Sequence, residues 1–272
     1  MTSNDLGFES LLKLYHSKYN LVYKANPGNA GDGVIASATY DFFKQSGLNY
    51  DQYRASSHYD SSKDILIFGG GGNLIEGLYA EGKDFIQNQK DKFAKIIIMP
   101  STVRGYEDFF KEGLDKFIVC CRERTSFEYI LSLGYKAQES VFLADDMAFY
   151  LDLPSYLSCV EPFKGIANCY RTDSESLTKD YKENNHDISL TWNGDYWDNE
   201  FLARNSTRCM INFLEEYSII NTDRLHVAIL GSLLGKEVNF FPNSYYKNEA
   251  VYKHSLLNQY HKTVFFFCRL II

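Results

Sequence analysis

The sequence predicts an α/β fold built on parallel sheets. From residue 21 onward, short apolar runs alternate with longer amphipathic segments, and the apolar runs lack the polar–apolar alternation of a half-exposed strand. Strands that are apolar throughout and separated by helices are typical of a parallel sheet covered on both faces. Glycine-rich turns directly follow some of these runs. We therefore expect two Rossmann-like units, of which the second is small.

The first unit contains five predicted strands with helices between them. Residues 1–20 have the spacing of an amphipathic helix and do not resemble a signal peptide. The strands are predicted at LVYKA (21–25), DILIF (64–68), KIIIM (95–99), FIVCC (117–121) and VFLA (141–144). The predicted helices include GVIASATYDFFKQSG (33–47) and SFEYILSLG (126–134).

The second unit follows a join with two prolines at residues 151–162, so we expect domains at residues 1–155 and 156–272. Most of the polar, turn-rich stretch 171–200 is predicted to be loop. The remaining pattern predicts a strand at 165–170, a helix over about 198–216, a strand at 217–220, a helix within 221–238 and a strand at 237–241.

Composition restricts the class of protein. A net charge of -7 argues against a general nucleic-acid-binding protein, which usually carries a basic surface. The six cysteines show no zinc-binding spacing, so we expect no metal site, no cofactor and a reduced, cytoplasmic protein. No apolar run approaches the ~20 residues of a membrane-spanning helix. The apolar segment 263–272 is predicted to be a buried strand, with contact to a membrane or a partner as the alternative.

Glycines follow the first two predicted strands, where ligands of open parallel sheets bind. After 21–25, NPGNAGDG provides Gly31 and Asp32 at the start of a helix, whose free N–H groups favour an anion. The turn is either purely structural or an anion site, and Asp32 is either a helix cap or a base. After 64–68, GGGGNL lets the backbone approach a ligand at Gly70 and Gly71, with Asn73 as a polar contact or a cap.

Arginines follow the next two predicted strands. Pro100 is expected to end the strand at 95–99 and to leave Arg104 in the loop beyond it. After 117–121, Thr125 and Glu128 have the spacing of a capping box, which would start a helix near Ser126. Arg122 and Arg124 would then lie in the turn, paired locally or binding a carboxylate or phosphate. Arg122 is the stronger candidate because it is closer to the strand end.

The stretch NTDRLHVAILGSLLGKEV (221–238) has the same layout. Its first three residues offer a helix cap, and Leu225, Ile229 and Leu233 form a buried face. Arg224 and His226 would lie in the first helical turn, where a cation is mildly unfavourable unless an anion binds. Such a conflict with local preference is typical of functional sites.

The order of the motifs GNAGD, GGGGNL, MPSTV, CRERTS, LADDMAFYL and TDRLH resembles the polysaccharide pyruvyl transferase family over roughly residues 21–242. The resemblance implies a two-domain fold like that of glycosyltransferase-B enzymes, and transfer of pyruvyl from phosphoenolpyruvate to a sugar as a cyclic ketal. It also implies that Arg122, Arg224, His226 and the backbone near Leu225 contact phosphoenolpyruvate. Some members carry a histidine shortly after the proline-containing motif, where this chain has Arg104.

The residues suit this chemistry. Phosphoenolpyruvate carries a carboxylate and a phosphate, which Arg122, Arg224 and Arg104 are predicted to bind. His226 is the first candidate to move protons, and Asp32 is the candidate base, with one of two adjacent aspartates at 145–146 as the alternative. The expected acceptor is a sugar or a lipid-linked oligosaccharide, reached in the cytoplasm or at the inner face of the membrane. A nucleotide-sugar glycosyltransferase and a non-catalytic glycan-binding protein are the alternatives.

Overall fold

The computed structural model describes residues 5–158, 164–177 and 184–267, in which the chain forms helices around parallel sheets. The predicted α/β class is therefore confirmed. Cys159, Cys268 and parts of the predicted join, polar stretch and C-terminal strand lie outside the described residues.

The strands are β1 (Asn20–Lys24), β2 (Gly28–Asn29), β3 (Asp51–Gln52), β4 (Asp64–Phe68), β5 (Gly71–Ile75), β6 (Ile96–Arg104), β7 (Phe117–Cys121), β8 (Val141–Leu143), β9 (Lys164–Cys169), β10 (Asn193–Gly194), β11 (Tyr217–Thr222), β12 (Glu237–Phe240) and β13 (Thr263–Phe265). The α-helices are α1 (Asp5–His16), α2 (Ala30–Ser46), α3 (Glu81–Gln89), α4 (Glu107–Glu112), α5 (Arg124–Ser132), α6 (Glu200–Glu215), α7 (Leu225–Leu233) and α8 (Lys247–Val251). Short 3₁₀ turns and one π-helical turn complete the described chain.

The larger sheet has seven parallel strands in the order β3-β1-β4-β6-β7-β8, with β5 pairing the second half of β6. The predicted strands at 64–68 and 117–121 match β4 and β7 at both ends. Strand β7, and β4 after Asp64, are apolar and buried because helices or loops cover both faces of the sheet. All the carboxyl ends therefore meet at one edge of the sheet.

The smaller sheet is also parallel, in the order β13-β12-β11-β9. Its strands lie within a residue or two of the predicted positions at 165–170, 217–220 and 237–241. Between them, α6 and α7 supply the expected helices. The predicted boundary near residue 155 stays a prediction, since part of the join lies outside the described residues.

Helix α2 joins the two sheets. All its residues from Ala30 to Phe43 are buried, whereas a surface helix leaves one face exposed to solvent. Val34 packs into the core of the smaller sheet, whereas the adjacent Ile35 packs into a core of the larger sheet. The helix therefore fixes its own first turn relative to the carboxyl ends of both sheets.

Three predicted boundaries are wrong. Pro100 lies inside β6, where the pairing of the strand with β7 changes register, so the missing N–H of proline is tolerated. Helix α5 begins at Arg124, because the Glu123 carboxylate accepts the Ser126 N–H at 2.9 Å and takes the place of the predicted capping box. Strand β11 extends through residues 221–222, so Arg224 is itself the N-cap residue of α7.

Among the described residues, no helix is both long enough and apolar enough to cross a bilayer. Cys120 and Cys121 lie buried in β7, as the apolar run predicts.

Candidate functional site

The carboxyl ends of the two sheets face a shared pocket with a volume of about 490 Å³. Side chains that follow strands of the larger sheet form one wall, and side chains that follow β9, β11 and β12 form the other. Ligands of parallel α/β sheets bind at this edge. The predicted site residues that line the pocket are Asp32, Asn73, Arg122, Arg224, Leu225 and His226.

Arg122 forms the floor of the pocket. Its Nη1 donates to Oδ2 of Asp146 at 2.7 Å and its Nε donates to Oγ1 of Thr102 at 2.9 Å, and both Arg122 and Asp146 are almost completely buried. Burial alone raises the pKa of Asp146, but Arg122, His226 and the Ala148 N–H lower it well below its ordinary value. Asp146 is therefore a fixed anion that holds the guanidinium in place.

His226 shares this anion. Its Nε2 lies 3.6 Å from Oδ2 of Asp146 and has no hydrogen-bond partner among the described residues. On the other side, a Cβ placed on Gly31 would lie only 2.4 Å from Nδ1 of His226. The ring is thus clamped between the start of α2 and the Asp146 carboxylate, with one edge on the pocket.

Asp32 serves as a cap and also lines the pocket. Its Oδ2 accepts the Asn29 N–H at 2.9 Å, and the Asn29 side chain accepts the Gly31 N–H at 2.8 Å, which completes a capping box at the start of α2. Burial raises the pKa of Asp32 to about 6, although the positive charges at His226 and Arg122 oppose the rise. A carboxylate of this kind is ionised at neutral pH and still accepts a proton readily.

Arg224 is held by carboxylates on all three nitrogens. Its Nε donates to Asp187 at 2.8 Å and its Nη2 donates to the same carboxylate, while its Nη1 lies 2.7 Å from Oδ2 of Asp173. The Thr222 hydroxyl accepts the Arg224 N–H at 2.9 Å. Direct contact between this guanidinium and a ligand stays a prediction, since a ligand would have to share it with two carboxylates.

The start of α7 also offers backbone donors. The first bond of the helix runs from the Ala228 N–H to the Arg224 carbonyl at 3.0 Å, so the N–H groups of Leu225 and His226 precede the intrahelical ladder. Both residues line the pocket. Backbone N–H groups at a helix start are well suited to an anion.

A buried cluster that the sequence analysis missed completes the pocket. Glu175 accepts from Lys247 at 2.7 Å, from Arg171 at 2.9 Å and from the Tyr79 hydroxyl at 2.6 Å. Burial lowers the pKa of Lys247 to about 8, although Glu175 opposes the change. Arg171 lies two residues after the end of β9, so the strand-end rule that located Arg122 would also have located it, whereas Lys247 lies in α8, well beyond the end of β12.

The glycine run after β4 has mixed roles. A Cβ on Gly70 would lie 2.4 Å from the Pro100 carbonyl oxygen, so this glycine lets two backbones pack closely. Gly71 packs in the same way against the side chains of Asn26 and Asp32. Of the predicted residues in the run, Asn73 lines the pocket, and its amide donates to the loop after β1. A ligand contact at Gly70 and Gly71 stays a prediction.

Two other candidates lie away from the pocket lining. The Arg104 guanidinium stacks 5.1 Å from the ring centroid of Tyr245 and donates to the Glu76 carbonyl at 3.2 Å. Asp145 accepts from the Ser255 hydroxyl at 2.6 Å. The role of Arg104 in donor binding stays a prediction, and Asp32 and Asp146 are better placed than Asp145 to act at the pocket.

Charges in this part of the chain are balanced. The four cationic side chains Arg122, Arg171, Arg224 and Lys247 each have a carboxylate oxygen within 2.9 Å, supplied by Asp146, Asp173, Glu175 and Asp187. An incoming anion therefore meets cations that are already paired, and it depends on the hydrogen-bond donors that face the pocket, at the start of α7, on Arg122 and on His226. Within the described part of the chain, no group of His, Cys, Asp and Glu side chains is placed to hold a metal ion.

The chain is similar to known proteins in sequence and in structure. The sequence profile described as polysaccharide pyruvyl transferase matches residues 29–245, which include Asp32, Arg122, Arg224 and His226. A Bacillus subtilis (strain 168) protein named "Putative pyruvyl transferase EpsO" is 26% identical over 302 residues, covering 94% of this chain and 91% of that protein.

The structure is similar to a crystal structure of a functionally uncharacterized protein from Klebsiella pneumoniae subsp. pneumoniae NTUH-K2044. The TM-score is 0.94 and the identity 68%, over 98% of this chain and 100% of the other. Because the family profile covers most of the sequence, the chain belongs to the polysaccharide pyruvyl transferase family.

Proposed function

We propose that this transferase moves pyruvyl from phosphoenolpyruvate to a sugar of a surface polysaccharide, or of its lipid-linked precursor, and forms a pyruvate ketal. The proposal rests on one observation above the others: the start of α7, the guanidinium of Arg122 and the imidazole of His226 face the same pocket. We further propose that the two sheets correspond to the two halves of a glycosyltransferase-B arrangement, with donor and acceptor meeting between them.

The donor is a small dianion or trianion. Fixed hydrogen-bond donors for the phosphoenolpyruvate oxygens are the N–H groups of Leu225 and His226 and the guanidinium of Arg122. Lys247 and Arg171 add positive charge behind them. These groups are positioned by buried ion pairs before the donor arrives, which reduces the reorganisation that the reaction requires.

Ketal formation needs one proton at the methylene carbon and two new C–O bonds at the neighbouring carbon. We propose that His226 donates the proton to the methylene carbon, which becomes the methyl group. One sugar hydroxyl then bonds to the central carbon, the phosphate ester C–O bond breaks, and a second hydroxyl takes its place. Asp32 accepts the proton of one attacking hydroxyl and returns it through solvent to His226, which replaces the proton given to carbon, and the other hydroxyl proton leaves with phosphate.

The test is incubation of the full chain with phosphoenolpyruvate and a panel of galactose-, mannose- and N-acetylhexosamine-containing acceptors. We expect a mass gain equal to pyruvate less one water, together with release of one phosphate per ketal. His226→Gln should abolish both signals, whereas His58→Gln, at an exposed site on the same chain, should retain them.

Thermal-shift measurements distinguish the proposal from glycosyl transfer. Phosphoenolpyruvate should raise the melting temperature because a ligand that binds only the folded state stabilises it. Stabilisation by a nucleotide sugar and not by phosphoenolpyruvate would overturn the proposal.

A further inference from the structure

Two exposed aromatic rings stand at the edge of the pocket and have no part in the donor site. Trp192 and Tyr196 are 44% and 45% exposed, and their ring centroids lie 6.3 Å apart at an interplanar angle of 81°. The three residues between them, Asn193 to Asp195, all line the pocket. We refer to residues 192–196 as the aromatic rim.

The rim is in direct contact with the pocket wall. A Cβ on Gly194 would lie 2.5 Å from Cε2 of Tyr196, so the phenol ring rests on the backbone of a pocket-lining residue. Strand β10, within the rim, pairs with β2, and Asn193 is opposite Asn29. The N–H of Asn29 donates to Asp32, so Asn29 connects the rim directly to the candidate base.

The rim is also held rigidly. The next residue, Trp197, is only 1% exposed, and its Nε1 donates to the Gly28 carbonyl at 3.1 Å. Lys24 donates to both Asp195 and Asp198, and the Asp198 carboxylate also accepts the Ala25 N–H at 2.8 Å. These contacts fix the backbone that carries the two exposed rings, which lowers the entropy cost of binding a ligand.

The chemistry of the rim fits a pyranose ring. One face of such a sugar presents C–H groups that pack on aromatic rings, while its edge presents hydroxyls. Beside the rings lie the exposed amide of Asn193, which donates and accepts hydrogen bonds, and the 62% exposed carboxylate of Asp195, which accepts them from hydroxyls. The negative charge of the Asp195 carboxylate disfavours binding of a nucleotide phosphate beside these rings.

We infer that the aromatic rim, with Trp192 and Tyr196 as its platform, is the acceptor subsite and binds one pyranose unit of the glycan by stacking. The subsite directs the hydroxyls of that unit towards Asp32. The inference rests on the proposed function for its reaction, but the binding of the sugar itself does not require the donor.

Steady-state kinetics test the platform. Trp192→Ala and Tyr196→Ala should each raise KM for the acceptor about fivefold to tenfold, as expected for loss of one aromatic contact, and leave KM for phosphoenolpyruvate unchanged. The matched control is Phe201→Ala on α6, which removes a 72% exposed ring away from the pocket and should change neither constant. Unchanged acceptor KM in both rim variants would overturn the inference.

Fluorescence tests sugar binding without the reaction. The chain contains 2 tryptophans, of which Trp192 is exposed and Trp197 buried, so a change in emission on adding a methyl glycoside reports on the rim. Tyr196→Ala should weaken the response, and uridine should give none. A response to uridine, or to no glycoside of the panel, would overturn the inference. A glycoside response without any pyruvylation would leave the subsite standing and refute the proposed function.

Discussion

His226 and Arg122 meet at a single oxygen, Oδ2 of Asp146, which lies 3.6 Å from Nε2 of the histidine and 2.7 Å from Nη1 of the arginine. The carboxylate is fully buried, so these two groups provide its main charge compensation. Removal of the anion therefore affects both the guanidinium that we propose to bind the donor and the proposed proton donor.

Asp146→Asn should destabilise the fold and the site together. It leaves the buried Arg122 without its counter-ion, which costs about 3–5 kcal/mol when one partner of a buried pair is removed. Urea denaturation at neutral pH would measure the loss. Glu107→Gln, which breaks the exposed pair with Lys111, is the control and should leave the midpoint nearly unchanged. Equal midpoints for both variants would refute a structural role for Asp146.

Asp32→Asn should separate activity from stability. The amide retains the cap on the Asn29 N–H but removes the proposed base, so kcat should fall by about 10²–10⁴. Because burial raises the pKa of Asp32 to about 6, its ionised form opposes folding above pH 6, and this cost disappears as the pH falls towards 4. The wild-type chain should therefore gain stability relative to the variant between pH 7 and pH 5. A variant with wild-type kcat would exclude Asp32 as the base.

The pH dependence of kcat/KM should have two limbs. The acidic limb should lie near pH 6, where Asp32 becomes protonated, and the basic limb near pH 8, where Lys247 loses its charge. Lys247→Arg keeps a cation at all these pH values and should remove the basic limb. Lys253→Arg, at an exposed position near α8, should leave both limbs in place. A basic limb that persists in the Lys247 variant would have to come from another group.

Gly31→Ala should impair catalysis through His226. The new Cβ would lie 2.4 Å from Nδ1 of the imidazole, so the ring cannot keep its position between the start of α2 and Asp146. A displaced catalytic group costs about 10²-fold in rate, which kinetics with saturating donor would reveal. Gly165→Ala in β9, where nothing lies within 4 Å of the added Cβ, is the matched control. Full activity in the Gly31 variant would show that the position of the ring is unimportant.

Donor binding should take up protons. The buried cations already have carboxylate partners, so an added anion favours protonated neighbours. Calorimetric titration with phosphoenolpyruvate in buffers of different ionisation enthalpy should give apparent heats that vary with the buffer, and affinity should rise as the pH falls. Heats independent of the buffer would contradict the charge balance of the pocket.

Much of the site could be predicted from the side chains that follow the apolar strands. Arg122, His226 and Asp32 were found because each follows an apolar run that forms a buried parallel strand, and the carboxyl ends of such strands converge. The α/β class followed from the same runs. Local chemistry was sufficient for these residues because each lies within a few positions of its strand.

Long-range partners were not predictable. Asp173 and Asp187 lie in a polar stretch without periodicity, and their pairing with Arg224 appears only when β9 and β11 are adjacent. Arg104 was predicted to lie in a loop, because proline normally ends a strand. It is instead the last residue of β6, since Pro100 coincides with a shift in the pairing register of that strand. Lys247 follows a turn whose sequence carries no distinctive motif.

The ladder between β2 and β10 limits how the molecule can move. An outward swing of the smaller sheet would have to break the pairing of Asn29 with Asn193, extract Trp197 from Gly28 and separate Lys24 from Asp198 in one step. These three contacts oppose an opening hinge at this side, because all of them would have to break together. We therefore expect substrates to exchange along the open rim, so that a glycan acceptor would remain outside while only its reacting unit enters.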